Sequence, residues 1–192
     1  MSTFRFAIMG AGNIAHQFCD AVTLVEDCEV SAIASKDLGR AQKFAEECSV
    51  AHAYDNYEQM LIEEKPDCVY IAVTPNDHFR LTMLCLEHRV PVLCEKAMFT
   101  NSAEAKAVFE KAEKDQTFVM EAMWSRFLPA VNQAKKWAAE GKIGRLEALQ
   151  GRIGFLAPEG ADNRYHSPLL CGGAATDITV YAYEIATWLV NE

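Results

Sequence analysis

Positive charge is scarce in this sequence, which has 18 lysines and arginines against 27 aspartates and glutamates and a net charge of -9. Nucleic acids and anionic membrane surfaces both attract basic patches, so we predict neither as a partner. No apolar run approaches the ~20 residues of a membrane span, and the first residues show no signal-peptide pattern.

Paired cysteines and clustered histidines are also missing. The seven cysteines are scattered and never spaced C-x-x-C, and the five histidines show no metal-ligand spacing. We therefore expect reduced thiols, no metal site and a cytoplasmic location. The cysteines are Cys19, Cys28, Cys48, Cys68, Cys85, Cys94 and Cys171.

The segment FRFAIMGAGNIA near the start of the chain carries the first chemical signal. Its nearly all-apolar first half predicts a strand buried on both faces. Gly10, Gly12 and Ala15 follow with the spacing G-x-G-x-x-A and lead into a predicted helix, 13–24. Such a turn lets a pyrophosphate approach the backbone at a helix N-terminus, which indicates dinucleotide binding. The alternative is an ordinary tight turn between a strand and a helix.

The end of the second predicted strand, 28–35, bears on which dinucleotide is bound. Folds that prefer NAD usually place a carboxylate here to bind the ribose hydroxyls. This chain has Ser35 and Lys36, with Arg40 one helical turn further on, and these groups suit a 2′-phosphate. Asp37 is predicted to cap the next helix. We therefore predict NADP rather than NAD, although Lys36 and Arg40 could simply be solvated.

Strand and helix patterns alternate as far as residue 120, which predicts an α/β fold with a doubly wound parallel sheet. Ligands of such sheets bind beyond the carboxyl ends of the strands. The glycine turn, Ser35, 74–76 and 95–96 should therefore face one crevice. The further strands are expected at 67–73, 90–94 and 117–120, and the helices at 38–48, 55–64, 77–88 and from Asn101 or Ser102 to about 115.

The pattern changes after residue 120. An amphipathic helix is predicted at 128–140, a strand at 146–155, a polar binding loop at 157–173 and a helix at 174–190. We accordingly divide the chain into a dinucleotide-binding Rossmann domain, residues 1–121, and the start of a second α/β domain, residues 122–192.

The chain resembles the glucose–fructose oxidoreductase / inositol dehydrogenase / MocA (Gfo/Idh/MocA) family over essentially its whole length. The resemblance is carried by GAGNIA (10–15), TPN followed by His78 (74–78), EKA (95–97) and GGAATDITVY (172–181). Within the family, VLCEKAM, FVMEAMWSRFLP and GGAATDITVY are most similar to the branch of trans-dihydrodiol dehydrogenase and NADP-dependent D-xylose dehydrogenase. Family members continue well past residue 192, so the second domain is incomplete relative to the family.

The resemblance implies an NADP-dependent oxidoreductase acting on a CH–OH group of a sugar or vicinal cyclic diol. It implies Lys96 and Tyr181 as the catalytic pair, with Asp177 beside them. Tyr181 would exchange the hydroxyl proton, and a neighbouring Lys96 ammonium would favour its loss. The usual E-K-P of the family is EKA here, and many members have histidine where this chain has Tyr181.

The glycine turn, the crevice and the resemblance together give one predicted cofactor-binding set. It comprises Gly10, Gly12, Asn13, Ile14, Ser35, Lys36, Arg40, Thr74, Pro75, Asn76, His78, Glu95, Lys96, Trp124 and Arg126.

Two other functions fit the same motifs. One is a non-catalytic NADP-binding or sensing protein, and the other is an inactive or structural relative of the same fold. A homodimer or larger oligomer is expected if the second sheet is complete, since the family often associates through the open face of that sheet.

Overall fold

A computed structural model describes residues 3–160 and 163–190. The chain divides into two compact units, Met1–Glu121 and Ala122–Glu192, which are described one at a time.

The first unit is a six-stranded, wholly parallel sheet with the strand order β3-β2-β1-β4-β5-β6. This is the classical order of a dinucleotide-binding doubly wound sheet, so the predicted Rossmann architecture is confirmed. The strands are β1 (Phe4–Met9), β2 (Cys28–Ala34), β3 (His52–Tyr54), β4 (Cys68–Ile71), β5 (Val92–Cys94) and β6 (Val119–Glu121). The helices between them are α1 (Asn13–Val22), α2 (Leu38–Cys48), α3 (Tyr57–Glu64), α4 (Pro75–Glu87) and α5 (Ser102–Asp115).

Local signals explain where these elements lie. The strands at the centre of the sheet are apolar because helices cover both faces, and all four residues of β4 are buried. Three helices begin at a side-chain cap, because Asp37, Asn56 and Asn101 each accept a hydrogen bond from a backbone N–H of the first turn. The predicted start of α2 after Asp37 is therefore confirmed.

The structure corrects several predicted boundaries. Strand β3 was not predicted, because three residues are too few to show a clear alternation. Helix α4 begins at Pro75 rather than Asp77, since proline is preorganised for the first helical position and its missing N–H is not needed there. Helix α1 ends at Val22, and β2, β4 and β5 are shorter than predicted.

The turn after β1 depends on a close backbone approach. Gly10 has a φ of +112°, and a Cβ built on it would lie 2.6 Å from the carbonyl oxygen of Ala72, just past β4. Backbone hydrogen bonds hold this arrangement, since Gly10 N–H donates to Ala34 and Ala72 N–H donates to Met9. The turn therefore lies between β1 and β4, where the strand order reverses.

The second unit contains helix α6 (Pro129–Ala139) and helix α7 (Val180–Val190), which is preceded by a π-helical segment, Ala175–Thr179. The prediction of a strand at 146–155 is wrong, because the structure has no strand among the described residues after 121. A strand requires a neighbour for its backbone hydrogen bonds, and the described part of this unit supplies none. The predicted loop 157–173 includes residues 161–162, which lie outside the described residues.

The Gly10→Ala variant should lose about 3 kcal/mol or more of unfolding free energy, because it combines a left-handed φ with a backbone clash that no side chain can relieve. Gly12→Ala is the matched control, since the nearest atom to its new Cβ is the Ala72 oxygen at 3.9 Å. Urea unfolding of both variants tests this, and equal stability of the two would contradict it.

Candidate functional site

The glycine turn leaves room for a ligand at the start of α1. Gly12 is the N-cap residue of α1, and it offers no side chain to the backbone N–H groups of the first turn, which also contains no acidic residue. Its φ of -107° is open to any residue, and no protein atom lies within 3.4 Å of the Cβ position. Internal packing therefore does not require glycine here, whereas the close approach of a phosphate to the helix N-terminus would. Asn13 and Ile14, the first residues of α1, are exposed beside this space.

Arg40 is held next to the same turn. The Asp37 carboxylate caps α2 by accepting the Arg40 N–H at 2.8 Å, which fixes the backbone of Arg40 in the first turn of the helix. The Arg40 Nη2 then donates to the Ala11 carbonyl at 3.2 Å, between the two turn glycines. The structure thus places the Arg40 guanidinium, which the sequence predicted to bind a 2′-phosphate, beside the glycine turn. Ser35 is nearby but buried, and its hydroxyl accepts the Asp37 N–H at 3.5 Å.

The other predicted cation, Lys36, forms an ion pair that the sequence did not indicate. Its Nζ binds the Asp77 carboxylate in α4, and Arg80 Nε approaches the other Asp77 oxygen at 3.2 Å. Burial alone would raise the pKa of Asp77, but the hydrogen bonds and positive charges of Lys36 and Arg80 outweigh it, so the pKa lies below its usual value. Asp77 therefore stays ionised and holds Lys36 at the edge of the sheet.

The segment Thr74-Pro75-Asn76 begins α4 at the carboxyl end of β4. His78, two residues later, is fully buried rather than facing the crevice. Its Nε2 lies 3.1 Å from the Val73 carbonyl, and its Nδ1 lies 3.0 Å from the Ala97 carbonyl. Burial lowers the pKa of His78, although these carbonyls oppose the shift. His78 thus links the segments after β4 and β5, and we assign it to positioning them.

Glu95 and Lys96 follow β5, as predicted. Glu95 is buried, and its two oxygens accept hydrogen bonds from the Tyr70 hydroxyl and from the Lys96 backbone N–H. Burial raises the pKa of Glu95, and these two donors partly oppose the shift. The Lys96 side chain is half-buried at the same strand end. These contacts fix the backbone that carries Lys96.

In the second unit, Tyr181 lies at the start of α7 and is buried. The Trp124 indole N–H donates to the Tyr181 hydroxyl oxygen at 2.9 Å, and the two rings meet edge to face. This bond fixes the position of the phenol oxygen, which acts as its acceptor. Asp177 lies in the π-helical segment, and segments of this kind often occur at functional sites. Its carboxylate lies 3.6 Å from Arg164 Nη1.

Arg126, predicted to bind cofactor, is already engaged within the second unit. Its guanidinium pairs with the buried carboxylate of Glu184 and stacks over the Trp188 ring at 4.7 Å. Ser125 donates to the other Glu184 oxygen at 3.0 Å. Glu184 was not predicted, because a glutamate in an apolar helix gives no sign of its partners until the fold is known.

No group of three or more histidine, cysteine or acidic side chains among residues 3–160 and 163–190 is arranged to hold a metal ion. In the same residues, no helix is long and apolar enough to cross a membrane.

The strand order, the open glycine turn and the helix N-terminus beside it define a nucleotide-binding Rossmann unit. Residues 4–123 match the profile of the oxidoreductase family with an NAD-binding Rossmann fold, and residues 131–192 match the Gfo/Idh/MocA C-terminal domain. The chain therefore belongs to the Gfo/Idh/MocA oxidoreductase family.

The chain is also similar in sequence to individual known proteins. It is 32% identical over 190 residues to trans-1,2-dihydrobenzene-1,2-diol dehydrogenase of Mus musculus, and the match covers 96% of the chain and 56% of the mouse protein. The chain thus spans just over half the length of that relative.

Two solved structures share the fold. An NAD-binding protein from Listeria innocua has a TM-score of 0.88 at 22% identity, covering 99% of this chain and 56% of its own. A mutant of KijD10, a 3-ketoreductase from Actinomadura kijaniata in complex with TDP-benzene and NADP, has a TM-score of 0.68 at 26% identity, covering 73% and 43%. The first of these is described as NAD-binding and the second was solved with NADP; the family profile supports a nicotinamide cofactor without indicating which one.

Proposed function

We propose that this protein is an NADP-dependent dehydrogenase that transfers a hydride between the nicotinamide and a CH–OH group of a sugar or vicinal cyclic diol. The observation that carries the proposal is the open glycine turn at Gly12, which adjoins a helix N-terminus and the Arg40 guanidinium. Family membership and the dihydrodiol dehydrogenase relatives support the reaction class. Residues 1–121 would bind the dinucleotide, and residues 122–192 would begin the substrate domain.

The proton chemistry falls to side chains of this chain. Tyr181 would take the substrate hydroxyl proton during oxidation and return it during reduction, from a phenol oxygen held by Trp124. Lys96 would stabilise negative charge on the reacting oxygen from its place after β5. Asp177, paired with Arg164, would accept a hydrogen bond from a second substrate hydroxyl. The bound nicotinamide supplies the hydride chemistry itself.

The preference for NADP rests on charge at the end of β2. Lys36 and Arg40 offer two cations to a 2′-phosphate, and Ser35 stands where an NAD-selective carboxylate would repel it. Lys36 is held by Asp77 in the structure, so a phosphate would have to share or displace that ion pair. The preference for NADP over NAD therefore depends on whether Lys36 and Arg40 attract the 2′-phosphate more strongly than the Asp77 carboxylate repels it.

A cytoplasmic location belongs to the same proposal. All seven cysteines are free thiols, which is typical of proteins from a reducing compartment.

Tyr181→Phe should lower the turnover number by roughly 10²–10⁴-fold while NADPH binding stays unchanged, because it removes the hydroxyl that exchanges the substrate proton, together with the bond from Trp124, and no proposed cofactor contact. The measurement is NADPH absorbance with a panel of trans-dihydrodiols and pyranose sugars. Tyr183→Phe is the matched control, since it removes a hydroxyl from the same helix at a side chain that is 71% exposed. Wild-type protein that binds NADPH but turns over no substrate would instead favour a sensing function.

Lys36→Ala should weaken NADPH binding by roughly 10-fold or more and change NADH binding little, since one charge-assisted bond to the 2′-phosphate contributes about 1.5–3 kcal/mol. Lys43→Ala is the control, because Lys43 is an exposed lysine in α2, the helix that begins two residues after Lys36. Fluorescence titration with both nucleotides tests this. Tighter binding of NADH than NADPH by the wild-type protein would contradict the prediction.

A further inference from the structure

A cluster of reactive side chains lies between α1 and α2, and the proposed function does not use it. His16 Nδ1 in α1 lies 3.2 Å from the Sγ of Cys48, the last residue of α2. Cys19 is buried in α1, three residues after His16, and its thiol and that of Cys48 influence each other's ionisation. Glu47 Oε2 lies 3.6 Å from the other His16 nitrogen. His16 thus contacts both the Cys48 thiol and the Glu47 carboxylate, with the Cys19 thiol on the same helix as His16.

The two thiols differ in their exposure and in their contact with His16. Cys48 is half-buried and open to small reagents, whereas Cys19 is 5% exposed. Burial raises the pKa of both thiols, that of Cys19 to about 12. Cys48 is the more exposed of the two and the one in contact with His16, so it is the thiol from which His16 is placed to accept a proton.

The other cysteines lack this arrangement of contacts with an imidazole. Cys68, Cys85 and Cys94 are buried in the core, where burial raises the pKa of each thiol. Cys28 and Cys171 are half-buried like Cys48, so they serve as internal references for simple exposure.

We propose that Cys48 and Cys19 form an oxidation site that hydrogen peroxide converts to a disulfide between α1 and α2. The Cys48 thiolate, having passed its proton to His16, attacks one peroxide oxygen; the O–O bond breaks, and the departing hydroxide takes a proton to become water. Sulfur is oxidised to sulfenic acid, and the peroxide is reduced. The Cys19 sulfur then attacks the Cys48 sulfur, so that the S–S bond forms and a second water leaves.

The disulfide would join the two helices that begin beside the cofactor turn. Helix α1 starts at that turn and α2 starts at the Asp37 cap, whose neighbour Arg40 contacts Ala11. Oxidation would thereby tie together the two elements that carry the proposed phosphate contacts, while leaving their N-termini free.

The test is peptide mapping of the full chain after brief treatment with a small excess of hydrogen peroxide, followed by alkylation of remaining thiols. Cleavage after Lys36, Arg40 and Lys43 separates Cys48 from Cys19, but Cys19 and Cys28 share one peptide. Mapping the Cys28→Ser variant removes this ambiguity, and fragment ions of the linked peptide assign the other end to Cys48 rather than Cys68, because cleavage does not occur between Lys65 and Pro66. In both the wild type and Cys28→Ser, we expect a linked pair of peptides whose mass is two hydrogen atoms less than the sum of the two peptide masses. Dithiothreitol should separate the pair.

Two variants test the order of the steps. Cys19→Ser should stop at sulfenic acid on Cys48, which dimedone labels, and His16→Asn should slow Cys48 oxidation severalfold. Oxidation of Cys28 or Cys171 before Cys48, or a wild-type map without the Cys19–Cys48 link, would overturn the proposal. None of these readouts depends on NADPH or substrate, so failure here leaves the proposed function standing.

Discussion

The approach of one backbone carbonyl to a residue without a side chain governs the arrangement of the first unit. The Ala72 carbonyl occupies the space in which the Cβ of any other residue at position 10 would lie. Because β1 and β4 are neighbours in the sheet, this contact sets the turn at the reversal of strand order. Helix α1 then starts with its N-terminus toward the same edge. The space beside Gly12 and the position of the α1 N-terminus follow from that single approach.

Charge at this edge is arranged by residues that are far apart in sequence. Asp77 in α4 holds Lys36 from the end of β2, and Asp37 orients the first turn of α2 so that Arg40 reaches Ala11. The cofactor edge thus carries two cations whose positions are fixed by carboxylates. Exposed ion pairs of this kind contribute little to stability, so we ascribe their importance to orientation.

Local sequence patterns were enough for most of the first unit. The glycine spacing, the Asp37 cap and the apolar strands follow from contacts within a few residues, so their predictions match the structure. The strand predicted at 146–155 failed because strand formation depends on a neighbour that no local pattern reveals. The Asp77–Lys36 pair, 41 residues apart in sequence, was missed for the same reason. Tyr181 and Asp177 were selected by family resemblance, and their roles remain predictions.

Calorimetric titration of NADPH into the wild-type protein and into Gly12→Ala tests the central claim most directly. The claim is that Gly12 keeps space for a phosphate rather than for the protein itself. We predict one binding site per chain in the wild type and at least 10-fold weaker binding in Gly12→Ala, since a Cβ would enter the space that the phosphate needs. Equal binding by both proteins, or no binding by the wild type, would contradict the account.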